Sequence, residues 1–162
     1  MYEEIEELEE LDEAEIAVVT PEQEAGADYS ILSVPCVNVW QRSYDKSRVP
    51  FAVLDSKLRI IWTNGSYMTH LGKGRDLKGE YFTKIFYQDK NQDQIDSMYK
   101  TIFLPENGYS WKGRLETGSR EHLTIIVNTL MFPIIRRESS GSAPIGFGVV
   151  LDDITDEQKN LV

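Results

Sequence analysis

Few residues in this 162-residue chain are of the kinds that do chemistry. The single cysteine is Cys36, and the two histidines are His70 and His122. They fall in separate stretches, whereas zinc sites gather Cys and His in pairs about two to five residues apart, so no metal site is expected. One thiol also excludes an internal disulfide, and Cys36 reads as a small buried apolar residue. No Ser, His and acid are arranged as in a hydrolase, and no catalytic residue is assigned. Gly72-Lys73-Gly74-Arg75 is rich in glycine and base but lacks the Gly-x-x-x-x-Gly-Lys-Ser/Thr register whose amides cradle phosphate. What remains is an apolar set with two polar interruptions. Met68, Tyr81, Phe82, Ile85, Met98, Ile102, Trp111 and Val127 are candidates to line a small ligand pocket. Asn128 and Thr129 interrupt a long apolar strand, and whichever faces inward would orient the ligand. The same residues also read as plain core packing, with Trp111 filling the interior and its indole N–H finding a partner.

The elements that must position these residues follow from periodicity. Residues 51–54 and 58–63 form two short β-type runs joined at Asp55-Ser56-Lys57, which predicts a hairpin. A short helix over 67–71 is capped by Asn64 or Ser66 and ended by Gly72 and Gly74. Residues 76–86 predict one or two helical turns. A better helix spans 92–103, with Ile95, Met98, Tyr99 and Ile102 on one face. Three strands are expected over 109–117, 121–135 and 145–154, separated by Gly118-Ser119-Arg120 and by the polar loop 136–144. The long middle strand is apolar on both faces, with Leu123, Ile125, Val127, Thr129 and Met131 on one and Thr124, Ile126, Asn128, Leu130 and Phe132 on the other. One face therefore packs on the helices, and the other on the N-terminal lead-in or a second subunit.

Charge divides the chain. Of 27 acidic residues, 12 lie in residues 1–30 with no Lys or Arg among them, so residues 31–162 carry 15 acidic against 17 basic side chains. The net −10 belongs to a leader, and the nearly neutral body lacks the clustered basic face of a nucleic-acid binder. Tyr2, Ile5, Leu8 and Leu11 fall three apart, but Glu3 with Glu7 and Glu6 with Glu10 repel at i,i+4. Four segments are expected: a leader and linker over 1–30, a lead-in without clear periodicity over 31–49, one domain over 50–155, and the start of a helix over 156–162. No stretch is apolar enough to span a membrane, and the missing targeting pattern and lone thiol point to a cytoplasmic location.

The body resembles the PAS sensory domains. The opening hairpin, Phe51-Ala52-Val53-Leu54-Asp55 then Arg59-Ile60-Ile61-Trp62-Thr63-Asn64, is similar to theirs and ends in the customary Asn. Leu77-Lys78-Gly79, Trp111-Lys112-Gly113 and Asp153-Ile154-Thr155 match three further signatures in the right order, the second of these known from many bacterial members. The resemblance implies an α+β fold: a five-stranded antiparallel sheet with short helices on one face. It also implies a sensory signal-input module without catalysis of its own, which binds a small ligand or partner. Asp153, Ile154 and Thr155 would relay the change to an effector such as a histidine kinase, cyclase, phosphatase or transcription regulator, as in two-component systems. A homodimer is expected. No cofactor is the first expectation. Flavin stays open as an alternative, although the reactive Cys of light-sensing members is missing from residues 81–87. Haem is disfavoured because the long helix lacks the axial His, leaving only His70. A ligand-free dimerisation domain is the third reading.

Overall fold

The structure is a computed structural model that describes residues 26–118, 124–135 and 143–155. The acidic leader over 1–25, the turn at 119–123 with His122, the loop 136–142 and the helix start over 156–162 lie outside the described residues. A 3₁₀ turn, Tyr29–Ser33, precedes helix α1, Pro35–Tyr44, and then strands β1, Phe51–Asp55, and β2, Ile60–Thr63. Helix α2, Gly65–His70, a 3₁₀ turn Phe82–Ile85, helix α3, Gln88–Thr101, and a 3₁₀ turn Pro105–Asn107 follow. Strands β3, Trp111–Gly118, β4, Thr124–Ile134, and β5, Gly146–Asp153, complete a sheet of order β2-β1-β5-β4-β3. Every neighbouring pair is antiparallel.

Local chemistry fixes each junction. In the hairpin, Asp55 Oδ1 accepts from the amides of Lys57 and Arg59, both at 2.9 Å, and the buried Leu58 takes a left-handed φ of 68°. Asn64 caps α2 and ties it to two other segments. Its Oδ1 accepts from Tyr67 N at 3.0 Å and Phe51 N at 3.1 Å, and its Nδ2 donates to Tyr44 O at 2.8 Å and Val49 O at 2.9 Å. All of this capacity is used while the residue is buried, which accounts for an Asn at this position. Asn91 does the same for α3. It donates to Tyr87 O and Glu116 O and accepts from Glu116 N, fastening the helix to the edge strand β3. The helix consequently begins at Gln88 rather than at 92.

Two apolar layers lie on opposite faces of the sheet. The inner one joins Leu54, Ile60, Phe147, Val149 and Leu151 of the sheet to Tyr67, Phe82, Ile95, Met98 and Ile102 of the helical side. Tyr99, expected on the inner face of α3, is exposed. The outer layer is built by the lead-in, so helical cover is not confined to one face. Val37, Trp40 and Tyr44 recur along one side of α1 and pack with Ile31 on Phe51, Val53, Ile61 and Ile134. The sequence shows no clear period there because Val39, on the other side of the helix, is apolar and exposed. Tyr44 stacks on Phe51 at 4.2 Å, and Trp40 meets Phe132 edge-on at 5.0 Å. Gly148 makes room for both rings, since a Cβ there would press on Phe132 and Trp40. Cys36, expected to be buried, is exposed in the first turn of α1.

Candidate functional site

The apolar candidates separate into those the fold gathers and those it does not. Phe82, Met98, Ile102, Trp111 and Val127 are buried together in the inner layer, and Ile85 packs against it partly buried. Thr129 is the polar residue that points inward; its partner in the sequence argument, Asn128, is exposed on the other face. Tyr81 is 43% exposed and Met68 is half-buried outside the inner layer, so neither lines the interior. Tyr81 instead lies under the Arg59 guanidinium, 4.3 Å from Cζ to the ring centre.

Trp111 holds α3 against β3. Its Nε1 donates to Ser97 Oγ at 3.3 Å, and its ring lies so close to Gly113 that a Cβ there would overlap both the ring and Gln94 Oε1. The Trp-x-Gly spacing thus places a side chain and the gap it needs two residues apart on one face of a strand.

Two hydroxyls in this interior have no hydrogen-bond partner among the described residues. They are Thr129 Oγ1, on a strand residue opposite Gly113 and Leu151, and Tyr67 OH, on α2. Tyr67 is fully buried, and burial pushes its phenol far above the ordinary tyrosine range because the phenolate would lose its hydration. A buried hydroxyl without a partner costs roughly 1–3 kcal/mol, so the pair is a defect unless something else satisfies it. Tyr67 was not among the pocket candidates; its place three residues after the cap Asn64 was the available signal, since that spacing turns it toward the sheet.

The C-terminal signature is built onto the same strand as Thr129. Asp153 Oδ1 accepts from Thr155 N at 3.0 Å and from Thr155 Oγ1 at 2.6 Å. Thr155 Oγ1 in turn accepts from Ile126 N at 2.9 Å, and Ile154 N donates to Ile126 O at 2.9 Å. Both backbone groups of Ile126 in β4 are therefore held by the two residues that follow β5, of which Ile154 is buried.

On the outer face, α1 leaves part of β3, β4 and β5 uncovered. Lys112, Arg114, Asn128, Leu130, Val150 and Asp152 line a shallow groove of about 430 Å³ there, and Leu130 is 42% exposed. His70 is exposed at the end of α2. No described helix is long and apolar enough to cross a membrane.

A five-stranded antiparallel sheet in this order, with short helices and turns between its second and third strands, is the fold of a PAS domain. No family model and no curated protein matches the sequence. Solved structures do. The PAS domain of a protein from Colwellia psychrerythraea superposes with a TM-score of 0.57 at 18% identity, covering 75% of this chain and 98% of that one. The LOV protein of Rhodobacter sphaeroides gives 0.59 at 13%, covering 74% and 67%. The phage VqmA–DPO complex gives 0.58 at 15%, covering 83% of this chain and 60% of that one. The likeness is one of fold, and the expected five-stranded antiparallel sheet is present.

Proposed function

We propose that this chain is a signal-input module. A small ligand engages the Thr129 and Tyr67 hydroxyls in the interior, and β4 passes the change to the Asp153–Thr155 junction and on to an effector. One arrangement carries the reading. Within four residues of one strand lie an inward hydroxyl without a partner and the amide and carbonyl held by the outgoing segment. A ligand that satisfies Thr129 draws on β4 directly, and Ile126 is where that displacement reaches the exit. The proposal also includes a homodimer, in which a second copy covers the exposed part of the outer sheet around Leu130. The reading includes no catalysis by this chain.

The test is a visible absorption spectrum of the purified chain, followed by a thermal-shift screen of metabolite-sized compounds. A ligand at a hundred times its Kd adds about 2.7 kcal/mol and raises the melting temperature. The expected result is a colourless protein and at least one stabilising compound whose effect shrinks tenfold or more in Thr129→Val. An extractable flavin would replace the free-ligand reading by the redox alternative. A colourless protein that no compound stabilises would leave a domain serving only for dimerisation.

A further inference from the structure

The open part of the outer sheet carries its charges on opposite flanks. β3, β4 and β5 lie side by side there, and their register sets out two rows of outward residues. One row runs Lys112, Leu130, Val150, and the next runs Arg114, Asn128, Asp152. Lys112, Asn128, Leu130 and Asp152 are exposed, and Val150 is half-buried. The middle strand is uncharged in both rows, with Lys112 on the β3 flank and Asp152 on the β5 flank. Arg114 shares the flank of Lys112 and already has an interaction of its own.

Two sheets packed face to face in the aligned manner keep their strands within about 30° of each other. A second copy of this chain meets that condition about either of two two-fold axes lying between the sheets. An axis across the strands sets β3 on β3 and β5 on β5, so Lys112 and Asp152 each meet their own flank in the second copy. An axis along β4 exchanges the flanks. Leu130 then meets Leu130, and Asn128 meets Asn128, on the axis itself. Lys112 stands over Val150 of the second copy, one row of about 7 Å from its Asp152, a step that the four-carbon lysine stem spans. Apolar contact at Leu130 and Val150 favours association about either axis, but like charges facing each other oppose the first and opposite charges favour the second.

We infer that two copies pack outer sheet on outer sheet about a two-fold axis along β4, each Lys112 paired with Asp152 of the other copy. The inference rests on the homodimer proposed above and adds its arrangement. Rotation about β4 leaves the strand direction unchanged, so both Asp153–Thr155 junctions stand at the same end of the pair. An effector joined there receives the two outputs side by side, whereas the other axis sends them to opposite ends.

Sedimentation equilibrium of the full chain tests the arrangement with Lys112→Glu, Asp152→Lys and the double exchange. Each single reversal turns two attractions into two repulsions and should weaken the dimer about tenfold. The double exchange should bring back the wild-type dissociation constant. Both positions are exposed, and unchanged circular dichroism shows that the variants are folded. Single reversals that leave the constant unchanged or lower it, or a double exchange as weak as the singles, would overturn the arrangement while the dimer itself stands. A wild-type chain that is monomeric at every concentration would refute the dimer, and the arrangement with it.

Discussion

Tyr67 concentrates the physical tension of this molecule in one hydroxyl. The phenol is fully buried without a partner among the described residues, and burial raises its pKa well above the ordinary value. The sign of the pH effect follows. The folded protein keeps the proton while the unfolded chain releases it above about pH 10, so the stabilisation is complete below pH 10 and is lost as pH rises past it. Urea unfolding should show wild-type stability falling above pH 10 by up to about 1.4 kcal/mol per pH unit more steeply than in Tyr67→Phe. Parallel curves for the two proteins would mean that the hydroxyl is neither dry nor unpartnered. At neutral pH without ligand the same variant should be neutral or more stable by about 1 kcal/mol, since it removes an unsatisfied group. Asn64 is the opposite case, a buried polar side chain with every donor and acceptor used. The sequence offered it as a helix cap alongside Ser66, but its bonds to Phe51, Tyr44 and Val49 were not legible, because they come from residues 13 to 20 positions away.

Among the elements, β4 and the residues after β5 behave as one unit. Thr155 holds the Ile126 amide and is itself oriented by Asp153. Thr155→Val keeps the shape and removes both hydroxyl bonds, which predicts a loss of about 1 kcal/mol and much faster hydrogen exchange at Ile126. Exchange at Val149 and Met131 in the inner core should hardly change. Slow exchange at Ile126 in the variant would show that the junction is held by Ile154 alone. Helix α1 teaches a different lesson about elements. Its three inward residues do repeat at helical spacing, but the exposed Val39 adds apolar character on the other side and hides the stripe. A helix of ten residues is marginal in isolation, and what orders this one is the apolar outer sheet beneath it.

For the whole molecule, the partly covered outer face bears on assembly. The lead-in packs over Phe51 and Val53 of β1, Ile61 of β2 and Ile134 at the end of β4, and Leu130 stays open beside the groove. Sedimentation at rising concentration should show twice the monomer mass for the wild type and a monomer for Leu130→Glu, a change at an exposed site that leaves both cores intact. A wild-type monomer throughout would refute the dimer. The sequence by itself determined the order of the five strands and of the helices between β2 and β3, the hairpin and much of the core, while it left the cap of α2 between Asn64 and Ser66 and gave no helix in the lead-in, where α1 forms. Periodicity and turn chemistry act over a few residues, so they are written locally. The Trp-x-Gly and Asp-Ile-Thr segments were legible as signatures for the same reason. Only the tertiary structure decided that Thr129 and not Asn128 faces inward, because the direction of a strand apolar on both sides depends on which layer it meets. Only tertiary packing turned Tyr81 outward and set Tyr67 beside the core. Those placements depend on contacts between residues far apart in the chain, and no local pattern encodes the distance between them.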